Sequence, residues 1–185
     1  MPCDPAQVYQ PETDTFLLLE AARNEAKPGD RVLEIGTGSG RIAAALVRDH
    51  DVVATDINPH AVFCARTAGL DVVRCDLFSG IRGRFDLILF NPPYLPTQPE
   101  ERIEDWLEFA LDGGATGRGT IARFAASVGG ALAPGGRILL LISSLTGLFE
   151  VQNLFAGHGF TADVVRQQAV EGEDLFVLRV IRRDP

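Results

Sequence analysis

Two short motifs carry most of the chemistry this chain can do. Glu34-Ile35-Gly36-Thr37-Gly38-Ser39-Gly40 comes first and Asn91-Pro92-Pro93-Tyr94 second, each closing an apolar run that reads as a buried strand. Glycines at such a turn let the backbone approach a ligand without Cβ clashes, as a nucleoside-bearing cofactor requires. A dinucleotide fingerprint would need G-x-G-x-x-G, and Arg41 stands where its last glycine would be, so a pyrophosphate is not the expected guest. Asp56 and Asp76 follow the next two short apolar runs. With Glu34 they place carboxylates at three successive strand ends, which suits sugar hydroxyls and amino groups better than phosphate.

Asn-Pro-Pro-Tyr alone is an ordinary turn signal. After the run Phe85-Asp86-Leu87-Ile88-Leu89-Phe90 it has a more specific chemical logic. An amide or aromatic NH2 has a delocalised lone pair and is a weak nucleophile. The Asn91 side-chain oxygen and the Pro92 carbonyl can accept its two N–H groups, while proline restricts the backbone that aims the carbonyl. Tyr94 can stack on the planar group. Such a site works by orientation and electrostatics.

The elements that must position these residues alternate. Helix signals follow Thr13-Asp14-Thr15 and end at Pro28-Gly29; a strand is expected over 31–35, a helix over 41–49, a strand over 52–55, a helix from Pro59 to about 68, a short strand over 72–75 and a strand over 85–90. Residues 95–117, rich in Pro, Gly and acidic side chains, read as a substrate loop or lid. A helix over 120–132, a Pro134-Gly135-Gly136 turn, a strand over 137–143, a helix over 146–156 and a hairpin of strands 160–170 and 175–182 complete the chain. Strand–helix repeats give a parallel sheet with helices on both faces, and the hairpin adds an antiparallel edge.

A length of 185 residues suits one domain with one core. The net charge of −8 argues against stable, nonspecific nucleic-acid binding. No apolar run approaches the roughly 18 residues of a membrane span, and the N-terminus lacks a signal core, so a cytoplasmic location without membrane association is expected. Cys3, Cys64 and Cys75 form no C-x-x-C pair, so no metal site is expected; they read as small buried hydrophobes plus one terminal thiol.

The E-x-G-x-G-x-G turn resembles motif I of class I S-adenosylmethionine (SAM)-dependent methyltransferases, and N-P-P-Y resembles the [ND]-P-P-[YFW] motif of amino-group methyltransferases. Val8-Tyr9-Gln10-Pro11-Glu12-Thr13-Asp14-Thr15-Phe16-Leu17-Leu18-Leu19 resembles the opening of the archaeal and eukaryotic HemK-like release-factor glutamine methyltransferases, with Gln10 where relatives often carry Glu. The resemblance spans nearly the whole chain. It implies a single-domain, Rossmann-like α/β fold over 1–185, with an N-terminal lead-in and helix over 8–27 and a mostly parallel seven-stranded sheet. It implies SAM as cofactor, held by Thr15, Glu34, Gly36, Gly38, Gly40, Asp56, Asp76, Leu77 and Asn91, with Asp56 on the ribose and Asp76 on the adenine amino group. Asn91, Pro92 and Tyr94 become the catalytic residues.

The implied substrate is the glutamine of the Gly-Gly-Gln loop in a class I translation termination factor. A small zinc-binding activator subunit is the implied partner, paired with the sheet edge near 72–75. Two other acceptors are alternatives: adenine N6 in DNA or RNA, which shares the amide-like chemistry, and a protein lysine, which the planar-amide geometry suits less well than glutamine. A SAM-binding scaffold without activity is a third reading.

Overall fold

Long apolar runs make the strands and amphipathic segments the helices. The strands are β1 (Arg31–Ile35), β2 (Asp51–Asp56), β3 (Val72–Arg74), β4 (Phe85–Phe90), β5 (Leu132–Ser143), β6 (Phe160–Val170) and β7 (Glu173–Arg182). The helices are α1 (Thr13–Glu25), α2 (Arg41–Leu46), α3 (Pro59–Thr67), α4 (Gly119–Ser127) and α5 (Leu148–Gly157). In this computed structural model, which describes residues 3–98 and 105–183, the strands form one seven-stranded sheet in the order β3-β2-β1-β4-β5-β7-β6. β1 to β5 run parallel, whereas β7 pairs antiparallel with both β5 and β6.

Each face of the sheet carries its own core. Side chains of α1, α2 and α3, among them Leu18, Ile42 and Ala65, pack with Val32, Leu87, Leu89 and Leu139 on one face. Ile121 and Phe124 of α4 and Val151 and Phe155 of α5 pack with Leu33, Ile88, Ile138 and Leu140 on the other. Alternate residues of one strand thus point to opposite helical layers, which is why residues 87–90 of β4 and 138–142 of β5 are apolar without a break. Phe124 is the hub of the second layer, stacked 4.7 Å from Phe90 and edge-on to Phe155.

Some expected boundaries move. α2 stops at Leu46 rather than 49, and α4 stops at Ser127, followed by a 3-10 turn through Gly129 and Gly130. Pro134-Gly135-Gly136 does not precede β5 but lies within it, where the β4–β5 register shifts between Phe85 and Leu87. The cysteines depart most from expectation. Cys3 and Cys64 form a disulfide across 61 residues, tying the N-terminal lead-in to α3, and the remaining free thiol, Cys75, is only half-buried. Of the 95–117 loop, Pro99, Glu100, Glu101 and Glu104 lie outside the described residues. Its described part forms a bridge between Leu95 and Asp112 and a 3-10 turn at Glu108–Ala110.

Candidate active site

The sheet order reverses between β1 and β4, and in open α/β sheets ligands settle outside the carboxyl ends of strands at such a switch point. The glycine turn leaves β1 there, and Asn-Pro-Pro-Tyr leaves β4 beside it. Both line a cavity of about 670 Å³, the size range of small-molecule and cofactor sites. The N-terminal lead-in, through Pro5, Ala6, Val8, Tyr9 and Gln10, forms part of its wall, and Trp106 and Phe109 of the 95–117 loop form another. The two segments touch each other, the Trp106 amide donating to Gln7 Oε1 at 3.2 Å, and the lead-in is also held to the start of α3, where Asn58 Nδ2 donates to the Gln7 carbonyl at 2.6 Å.

At the cofactor end, Gly36 and Gly38 have φ of +67° and +53°, a region that favours glycine. Gly38 donates its amide to Asp56 Oδ2 at 2.8 Å, and Asn58 donates its amide to Oδ1 at 2.8 Å. Asp56 is buried, and burial pushes its carboxyl above the usual range against the pull of those amides. Glu34 sits beneath the turn rather than across from the ligand. Its Oε2 accepts from Thr37 Oγ1 at 2.7 Å and from the Ala43 amide at 3.0 Å, so it braces the turn and the start of α2. Burial pushes its carboxyl up to about 8. Gly40 is absent from the cavity wall; a Cβ there would meet Leu70 Cδ1 at 2.8 Å, so this glycine serves packing.

Asp76 and Leu77 line the far end of the cavity. Asp76 is ion-paired with Arg123 of α4, a residue with no distinctive sequence signal. Leu77 has φ +48°, the only non-glycine residue in the left-handed region among those described. Such conformations persist where the surroundings over-determine them, commonly at ligand clamps.

The acceptor end centres on Asp14, which the motifs did not single out. Asp14 is 3% exposed, and its Oδ2 accepts from Asn91 Nδ2 at 2.9 Å, Tyr9 OH at 3.0 Å and Tyr94 OH at 3.5 Å. Its Oδ1 accepts from the amide and hydroxyl of Thr15. Burial, reinforced by the Asp14 carboxylate, pushes the Tyr9 and Tyr94 phenols above their ordinary range, so both remain protonated donors. Asn91 Oδ1 is buried, and no donor among the described residues reaches it. Pro92 and Tyr94 stand beside it in the wall, and Gly117 packs so closely on Tyr94 that a Cβ would meet its carbonyl oxygen at 2.3 Å. All of the residues expected at the site therefore converge on one cavity except Gly40.

Residues 10–106 match the model of the methyltransferase small domain family. A Methanocaldococcus jannaschii protein that bears the name of a protein N5-glutamine methyltransferase is 39% identical over 95% of this chain and 92% of its own. The chain belongs to this family of protein-glutamine methyltransferases. Human methyltransferase HEMK2 is 33% identical over 93% of this chain and 89% of its own. The E. cuniculi Mtq2–Trm112 complex, described as methylating the eRF1 translation termination factor, superposes with a TM-score of 0.80 at 28% identity, covering 96% of this chain and 99% of that one.

A protein-glutamine methyltransferase of this family uses SAM. The residues present fit that cofactor. A buried carboxylate at the β2 tip, a left-handed glycine turn and the strained Leu77 suit a nucleoside, and of the two arginines in the wall, Arg123 is ion-paired with Asp76.

Proposed function

We propose that this chain transfers a methyl group from SAM to the side-chain amide nitrogen of the glutamine in the Gly-Gly-Gln loop of a class I termination factor. The observation that carries this reading is Asn91 Oδ1, a buried acceptor in the cavity wall that no donor among the described residues reaches. A buried polar atom left open in this way costs free energy unless an incoming group satisfies it. A carboxamide NH2 is such a group, and the Pro92 carbonyl is the second acceptor for it. Tyr94 lies against the planar amide.

SAM, when bound, supplies an electrophilic methyl group on a cationic sulfonium. The chain's own work is to bind, aim and exclude water. Asp56 takes the ribose hydroxyls, Asp76 and Leu77 the adenine, and Thr15, Gly36 and Gly38 surround the rest. Glu34 holds the turn in shape from below. The lead-in, with Trp106 and Phe109 from the described part of the loop, walls the site.

The partner is a small zinc-binding activator subunit. It covers the β3 edge, where a short strand would otherwise present unpaired backbone groups. Ile57, exposed and apolar, lies beside that edge, its carbonyl accepting from Arg74 Nε on β3 at 3.2 Å. The enzyme works in the cytoplasm, with its substrate. Glu12, Asp14 and Glu173 line the acceptor end, which disfavours a nucleic-acid backbone there.

The test is transfer of labelled methyl from SAM to purified termination factor, with and without the activator. Asn91→Ala abolishes transfer while SAM still binds. Label on an oligonucleotide or a lysine, and none on the factor's glutamine, would overturn the reading.

A further inference from the structure

We infer that Asp14 is a positioning residue: it fixes which end of the Asn91 carboxamide meets the substrate. This rests on the proposed function, because it concerns the acceptor for the substrate amide. An asparagine side chain can sit in two orientations of nearly equal shape, one presenting oxygen and the other NH2. Only the first can receive a glutamine amide; the second would set donor against donor. Asn91 is on the β4 tip and Asp14 is on α1, 77 positions apart in sequence and 2.9 Å apart across the cavity wall.

A carboxylate accepts hydrogen bonds and offers none. Asp14 Oδ2 therefore selects Nδ2 of Asn91 as its neighbour and turns Oδ1 away from itself. Oδ1 is then the atom left buried with no donor among the described residues. The same Oδ2 gathers Tyr9 OH and Tyr94 OH, while Oδ1 of Asp14 is anchored by Thr15. One buried carboxylate thus ties the lead-in, α1 and the Asn-Pro-Pro-Tyr turn together in a fixed sense. The preference is built in before any substrate arrives, and it has no counterpart in the motif itself.

Asp14→Asn removes the choice. A carboxamide at this position has a single oxygen. It either faces Thr15 and sets its NH2 against Asn91 Nδ2, or faces Asn91 and loses the Thr15 amide. The exchange Asp14→Asn with Asn91→Asp restores a consistent arrangement. The NH2 at position 14 donates to the new carboxylate at 91, whose second oxygen still serves as the acceptor.

The experiment compares the parent, Asp14→Asn, Asn91→Asp and the double variant, each as the full chain with activator subunit. It measures kcat and KM for the termination factor, the Kd for SAM and, in the parent and Asp14→Asn, which keep the asparagine, solvent exchange of the Asn91 side-chain NH2 by NMR. Asp14→Asn is expected to lower kcat by about 100-fold, the loss typical of one preorganised polar contact, with SAM affinity held within about threefold. The double variant is expected to regain about tenfold over either single variant, a coupling that a merely structural role would not produce. Exchange of the Asn91 NH2 is slow in the parent and fast in Asp14→Asn.

If Asp14→Asn does not fold, Asn91→Asp against the double variant makes the same comparison. Unchanged kcat, SAM affinity falling in step with kcat, or no gain in the double variant would overturn the assignment. If the parent transfers no methyl to the factor, the proposed function fails, and the exchange measurement alone decides the role of Asp14.

Discussion

The Gly38 amide donates to Asp56 Oδ2 at 2.8 Å, joining the turn after β1 to the tip of β2. With the Asn58 amide on Oδ1, both carboxylate oxygens are aimed before a ligand enters, and each retains a lone pair for a hydroxyl. Asp56→Ala removes the acceptor and loosens the turn. SAM affinity is expected to weaken by about 1–3 kcal/mol, the scale of hydrogen bonds to a charged group. Calorimetry checks this, and an unchanged Kd rejects the ribose role.

Glu34 makes stability depend on pH. Its carboxyl is pushed up to about 8 in the folded chain, chiefly by burial. In the unfolded chain it ionises at about 4.3. Between those values the folded state keeps a proton that the unfolded state has lost, so stability falls as pH rises through this window and levels off above it. Glu34→Gln is expected to gain about 3 kcal/mol relative to the parent between pH 5 and pH 8. Denaturant titrations of the cofactor-free protein at both pH values measure it; parallel behaviour of the two proteins contradicts it.

The Cys3–Cys64 bridge closes a loop of 61 residues, and on a chain-entropy basis it is worth about 4 kcal/mol. Cytosolic chemistry normally keeps such thiols reduced, so this bond sits uneasily with the proposed cytoplasmic setting. Cys3→Ser should lower the guanidinium midpoint of air-oxidised protein and leave that of reduced protein unchanged. Equal midpoints for oxidised parent and variant would exclude the bridge in solution.

Gly117 holds the substrate turn by close approach. With φ +69° and only 2.3 Å between a built Cβ and the Tyr94 carbonyl oxygen, Gly117→Ala must displace the Asn-Pro-Pro-Tyr backbone. The expected stability loss is about 1–3 kcal/mol, the range for a non-glycine residue forced into this conformation. Methyl transfer should fall further than SAM affinity does, because Gly117 touches the acceptor end. A thermal melt with kinetics distinguishes the two effects.

Much of the fold was legible because apolar runs of strand length, such as 85–90, admit few alternatives once flanked by turn residues. The motifs were legible for a related reason: glycines and prolines constrain the backbone locally, whatever surrounds them. Strand limits were less so. Pro134-Gly135-Gly136 reads as a turn, yet β4 pairing carries β5 back through it with an irregular register. Gly40 looked like a ligand contact because it shares the motif with Gly36 and Gly38, but α3 packing claims it.

The sequence by itself determined the layered α/β fold and the two strand tips that carry the motifs, since these follow from local backbone preference and hydrophobic period. Only the tertiary structure decided the partners of the polar groups. Asp14 with Asn91, Asp76 with Arg123 and Cys3 with Cys64 are set by how separate layers stack. Pairings of that kind depend on distances in space between residues far apart along the chain, and no local propensity encodes them.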